Sequence, residues 1–198
     1  MSKVYTGASM SIDGFIAGPQ DSGFEHLFQW YGNGDVAVET ADPEMTVHLT
    51  ETSAEHFLAL IERTGALVVG RKLFDFVNGW GGTHPMGVPV VVLTHEPPAD
   101  WPDGTSMTFV TEGIEAAIDK AKELAGEKVV GLNGGTIASQ ALDAGLLDEV
   151  WVDLVPVLLG DGTPFFSSLG SAPVSLEGPL SIGDGRDVTH LRYRVRYQ

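Results

Sequence analysis

Hydrophobic and polar positions follow two different rhythms along this chain. Between residues 65 and 145, short apolar runs alternate with segments whose apolar residues recur every three or four positions. The runs at 66–69, 88–93, 107–110 and 129–132 have the length and Val-rich character of buried strands, the second interrupted by Pro89. The spacing predicts helices over 71–77, over 114–124 with Ile114, Ala117, Ile118, Ala121 and Leu124 on one stripe, and over 136–144 before Gly145. Continuous apolar strands separated by helices predict a mostly parallel sheet covered on both faces.

The flanks read differently. Residues 4–12 predict a strand that breaks at Asp13-Gly14. Residues 24–31 predict a short helix, and the rest of 18–50 reads as a long loop. Thr52 followed by Glu55 has the form of a capping box, opening a helix with Phe57, Leu58, Leu60 and Ile61 that closes at Gly65. Residues 149–159 and 188–197 are β-rich. In the last segment Thr189, Leu191, Tyr193, Val195 and Tyr197 alternate with His190, Arg192, Arg194 and Arg196. That period of two predicts one buried and one solvated face, as in an antiparallel edge. No repeat or linker divides the chain, so one domain over 1–198 is expected.

Charge and composition narrow the chemistry. Lys plus Arg number 11 against 27 Asp plus Glu, a net charge of -16. That field repels a nucleic-acid backbone, so no nucleic-acid partner is expected. Cysteine is absent, which removes disulfides, thiolate nucleophiles and thiolate metal sites. The six histidines show no metal-ligand spacing, and no metal is expected. The N-terminus has no targeting pattern and no segment is apolar enough to span a membrane, so a cytoplasmic protein is expected.

Four places carry candidate chemistry. At Val69-Gly70-Arg71-Lys72 a strand meets a helix that opens with two cations, an arrangement that opposes the helix dipole unless an anion relieves it; a simple strand-to-helix turn with two solvated cations is the alternative. At Leu132-Asn133-Gly134-Gly135-Thr136 paired glycines let a ligand's phosphates approach the backbone; a plain glycine turn is the alternative. Thr94 and His95 stand at the carboxyl end of a parallel strand, where open α/β sheets bind ligands; a surface threonine and a solvated histidine are the alternative. Asp13 ends the first strand and is either a turn residue or a proton donor and hydrogen-bond anchor.

Taken together, these strings resemble the dihydrofolate reductase superfamily, in the branch of the riboflavin-biosynthesis reductase domains. The matching pieces are Ser11-Ile12-Asp13-Gly14-Phe15-Ile16-Ala17, Gly70-Arg71-Lys72, Val91-Val92-Leu93-Thr94, Gly134-Gly135-Thr136, Gly145-Leu146-Leu147-Asp148-Glu149-Val150, Pro156-Val157-Leu158-Leu159-Gly160-Asp161-Gly162 and Pro164-Phe165-Phe166. The resemblance implies a dihydrofolate-reductase-like three-layer α/β fold, with a mostly parallel central sheet and an antiparallel C-terminal edge. It implies an oxidoreductase that uses NADPH, with NADH as the alternative, to reduce a small flat pterin-, pyrimidine- or flavin-like substrate. A non-catalytic nucleotide- or flavin-binding domain is the other reading. By the same resemblance, Gly70, Arg71 and Lys72 hold the adenosine phosphate end, and Thr94 and His95 flank the adenine ribose. Gly134, Gly135, Thr136, Ile137 and Ala138 cradle the pyrophosphate, and Ala8, Ile16 and Ala17 approach the nicotinamide. Asp13 is the expected catalytic residue, Trp30 and Trp80 are expected substrate platforms, and a homodimer is expected.

Overall fold

The computed structural model describes residues 2–197. In chain order the elements are β1 (Val4–Ser11), β2 (Phe15–Ala17), α1 (Phe24–Leu27), β3 (Val36–Glu39), β4 (Thr46–Leu49), α2 (Glu51–Arg63), β5 (Thr64–Gly70), α3 (Arg71–Phe76), β6 (Val90–Leu93), β7 (Met107–Val110), α4 (Ile114–Ala125), β8 (Val129–Leu132), α5 (Thr136–Asp143), β9 (Glu149–Val155), β10 (Thr163–Pro164), β11 (Ser175–Gly185) and β12 (Val188–Arg196). Eight of the strands form one sheet in the order β11-β12-β9-β1-β8-β5-β6-β7. From β9 to β7 every neighbouring pair is parallel; β12 and β11 add the antiparallel end.

Alternation along the strands divides the core. Ala66 and Val68 of β5 face α4 and α5, packing with Ile118, Ala121, Ile137 and Leu142. Leu67 and Val69 face the other way, into a cluster with Phe74 of α3 and Val90 and Val92 of β6. On that same second face, nearer the antiparallel end, α2 closes a third cluster around Leu27, Trp30, Leu49 and Phe57. The parallel strands are therefore covered on both sides, as their unbroken apolar runs demand.

Several expectations are corrected. The segment 18–50 is not only loop: β3 and β4 form a hairpin that buries Val38, Val47 and Leu49. Its strands are four residues each and their other positions are largely exposed, which left little period-two signal. Helix α2 starts two residues before the apparent capping box. Thr50 is its N-cap, with the side-chain oxygen accepting from the Ser53 N–H at 3.3 Å. Gly65 lies inside β5 and does not end the helix. Strand β11, eleven residues long, runs through a Gly- and Pro-containing stretch without apolar alternation. The face of β12 read as solvated is in part covered by α2: His190 is 3% exposed, and Arg192 lies over the Trp151 ring at 4.6 Å and donates to Glu149 at 2.8 Å.

One connection is unusual. Residues 78–82 all have positive φ, from 48° at Asn78 to 99° at Gly82, including 50° at Trp80. This left-handed turn links α3 to the segment leading into β6.

Candidate functional site

Three chain crossings leave the sheet at one rim. β5 pairs in parallel with β8 on one side and β6 on the other. Their C-terminal ends therefore bring Gly70, Gly134 and Thr94 to neighbouring positions. A Cβ on Gly70 would stand 3.4 Å from Ile137, so the first crossing directly abuts the start of α5. Arg71 donates from its guanidinium to the Glu96 carbonyl at 2.7 Å, joining the first crossing to the third.

The second crossing is shaped for close approach. Gly135 is the N-cap of α5 at φ 75°, a conformation that favours glycine, and no side chain caps the helix. Its own N–H donates to the Phe165 carbonyl at 2.7 Å. A Cβ on Gly134 would meet Ile16 Cδ1 at 2.9 Å, which places β2 against this crossing. The first N–H groups of α5 lack a capping side chain and can take an anion's oxygens. Thr136 is exposed there, whereas Ile137 and Ala138 are buried and offer backbone only.

The rim's cations already have partners. Arg71 also bonds Asp75 at 2.7 Å and Lys72 bonds Asp21 at 2.6 Å. The second pair carries residues 19–21 across to α3, where Phe24 also meets Phe76 at 5.2 Å. Thr94 is buried, and its hydroxyl donates to the Glu96 carbonyl at 2.9 Å. His95 is exposed, Ala17 is buried in β2, and Ala8 is half-buried in β1.

Asp13 sits at the end of β1 on the same rim. Its carboxylate accepts from Ser11 Oγ at 2.6 Å, from the Gly160 N–H at 2.7 Å and from the Leu159 N–H at 3.1 Å. The Ser11 hydroxyl and the two backbone donors hold its carboxyl below the usual carboxylate range. It is an ionised group that pins two loops together.

The two expected platforms are elsewhere. Trp30 is 1% exposed, donates to Ser9 Oγ at 3.0 Å and packs edge-on against Tyr31. It is a core residue with no free face. Trp80 packs on His84 at 4.5 Å, whose imidazole is pushed down to about 4 by burial. Two residues on, the Gly82 carbonyl accepts from the Ser106 N–H just before β7, at the edge of the sheet opposite the rim. Neither ring stands beside Asp13.

The structure also assembles a cluster that residue spacing did not reveal. His190 Nδ1 lies 2.7 Å from Asp153 Oδ1, and His56 Nε2 lies 3.0 Å from the same oxygen. His190 Nε2 is 2.9 Å from Ser53 Oγ, itself 3.1 Å from Thr50 Oγ1. The two imidazoles stack at 4.0 Å and 15°. These groups come from α2, β9 and β12, so no local motif unites them. The only signal in the chain was a histidine on a strand face read as solvated. Burial alone would raise the Asp153 carboxyl, but hydrogen bonding from the two imidazoles outweighs it and lowers the value. Burial and the Asp153 charge push the neighbouring Tyr31 hydroxyl up.

Fold and rim together define a dihydrofolate-reductase-like α/β protein. The sequence profile of the RibD C-terminal domain matches residues 2–186, and the chain belongs to that family. The uncharacterized protein YwjB of Bacillus subtilis (strain 168) is 20% identical over 185 residues, covering 93% of this chain and 94% of its own. A crystal structure from Shewanella sp. PV-4, of a protein assigned in name to riboflavin biosynthesis, superposes with a TM-score of 0.70 at 23% identity, covering 98% of this chain and 99% of that one. Dihydrofolate reductase from Enterococcus faecalis, complexed with NADP(H) and RAB-propyl, superposes with a TM-score of 0.54 at 16% identity, covering 98% and 97%. Among the described residues no helix is long and apolar enough to cross a membrane.

Proposed function

We propose that this protein is an NADPH-dependent reductase of a small flat heterocycle, pterin-, pyrimidine- or flavin-like, acting in the cytoplasm as one reductase domain that pairs into a homodimer. The observation that carries the reading is the parallel pairing of β5 with β8, which sets Gly70-Arg71 beside Gly134-Gly135-Thr136. Membership of the RibD C-terminal domain family supports it.

The residues at the rim fit such a cofactor. The uncapped start of α5 receives the pyrophosphate, and the absence of side chains at Gly134 and Gly135 lets it approach. Arg71 and Lys72 exchange their carboxylate partners for the adenosine phosphates, with Thr94 and His95 alongside. Ile16, Ala17 and Ala8 present an apolar surface to the ring. A bound reduced nicotinamide supplies hydride to a C=N or C=O group. Asp13, ionised and fastened to the loop at 159–160, orients the substrate or relays a proton and is not itself the stored acid. The protein's share of the rate is positioning. Leu176, Leu180 and Ile182, exposed on the outermost strand β11, support a paired state.

The test is a titration of the purified protein with NADPH and with NADH, followed by tryptophan fluorescence. Arg71→Ala is expected to weaken NADPH about tenfold, the effect of one charge-assisted hydrogen bond. Asp13→Asn is expected to lower turnover across a pterin, flavin and pyrimidine panel far more than NADPH affinity. Absence of NADPH binding by the wild-type protein would overturn the reading.

A further inference from the structure

We propose that His56, Asp153 and His190 bind a single divalent transition-metal ion of the zinc type, at a site separate from the rim. Each residue offers one ligand atom, and all three atoms lie within 4.8 Å of one another. Two imidazole nitrogens with one carboxylate oxygen suit zinc and its neighbours better than magnesium or calcium, which prefer oxygen.

Charge is the first argument. Asp153 is 17% exposed in its side chain, and among the described residues no Lys or Arg pairs with it. Its two charged-group partners among the described residues are both imidazoles. With both neutral, the cluster holds one uncompensated negative charge under α2, which is costly in a poorly solvated position. A dication would satisfy it.

Orientation is the second. The ring nitrogen of His190 that does not face Asp153 lies 2.9 Å from Ser53 Oγ. Once an ion displaces the proton that Nδ1 shares with Asp153, the other nitrogen carries the hydrogen and donates to Ser53, which directs the Nδ1 lone pair at the ion. This is how an outer hydrogen bond fixes the tautomer of a metal-bound imidazole. Thr50 Oγ1 supports Ser53 in turn, and the Thr50 N-cap anchors the first turn of α2.

Geometry and access are the third. Ligand atoms about 2.1 Å from a tetrahedral ion stand about 3.4 Å apart. The present contacts of 2.7 and 3.0 Å need to open by about half an ångström to reach that spacing. The stacked rings must also part, and His56 is the one placed to turn. Its side chain is 23% exposed on α2, whereas that of His190 is 3% exposed. Three protein ligands and an exposed side leave a fourth position for water or a small ligand. The ion would tie α2 to the antiparallel end of the sheet.

The test uses the full chain, stripped with chelator and titrated with Zn²⁺ by calorimetry and with Co²⁺ by visible absorption. No nicotinamide is present, so the outcome is independent of the reductase reading. One equivalent of Zn²⁺ is expected, with the strong visible bands of low-coordinate Co²⁺. His56→Gln, at a partly exposed helix position, should keep the far-ultraviolet circular dichroism of the wild type and lose tenfold or more in Zn²⁺ affinity. Asp153→Asn should lose at least as much, and Ser53→Ala about tenfold to a hundredfold. Absence of saturable Zn²⁺ uptake by the wild type would overturn the proposal. Uptake unchanged in His56→Gln would overturn it as well, placing the ion elsewhere on the surface.

Discussion

The parallel and antiparallel ends of the sheet solve the same burial problem with different materials. Across β8, β5 and β6 the covered side chains are almost entirely Val, Leu and Ala, and the one buried threonine, Thr64, stands at a strand end. Around β9 and β12 the face under α2 carries Glu149, Asp153, His190 and Arg192, and each of these has a partner. Apolar packing tolerates small errors because dispersion is spread over many atoms. A buried polar group depends on one or two contacts, and losing one leaves the other atom stranded. The two ends should therefore fail differently.

The largest effect is expected at the polar end. His190→Ala removes a partner from a buried carboxylate and should cost about 4 kcal/mol in urea unfolding. Ile118→Ala, in the fully apolar cluster under α4, should cost about 3 kcal/mol by leaving a cavity. The contrast would break if the two losses came out in the reverse order.

A smaller effect sharpens it through pH. Burial by itself pushes the Glu149 carboxyl up, but hydrogen bonds from Arg192, Trp151 and Lys3 outweigh that and bring it to about 2, from an ordinary 4.5. A lowered folded-state value means the stabilisation is present above pH 4.5 and is lost as the pH falls from there towards 2. Arg192→Ala should cost about 2 kcal/mol at pH 7, and the difference from wild type should shrink as acid is added through that window. A gap that stays constant down to pH 2 would show that Arg192 acts by packing on Trp151 alone.

Local effects come next. Thr50→Ala should cost about 1 kcal/mol by removing the cap of α2. If the loss were zero, the capping box at Thr52 and Glu55 would be the true start of the helix. Lys120→Ala breaks an exposed pair with Glu123 and should change stability by less than about 0.5 kcal/mol.

The same division explains what could be read from the chain. Val68-Val69, Val91-Val92 and Val129-Val130 announce buried strands because both faces are apolar, and the helices between them show their stripes. The mostly parallel sheet followed from that alternation; the order of its strands did not. The rim was legible because glycines interrupt the pattern where strands end. The cluster at His56, Asp153 and His190 was not. Its members lie on three elements, and a histidine alternating with arginines on β12 looks the same whether α2 covers that face or water does. Trp30 carried an equal ambiguity: an aromatic residue near a candidate site is more often packing than platform, and its contact with Ser9 decides the matter. Strand β11 escaped notice because its pairing is set by backbone hydrogen bonds to β12 and not by side-chain burial.

The left-handed turn at residues 78–82 restricts which sequences this part of the surface can accept. At Gly79 any side chain would run into the indole of Trp101 and the ring of Phe74, on a backbone that already disfavours a Cβ. At Gly81, two steps along, nothing lies within 4 Å. A library randomised over these positions should return glycine alone at the first. At the second it should return asparagine and aspartate beside glycine, so two look-alike letters in one short stretch differ completely in their freedom to vary.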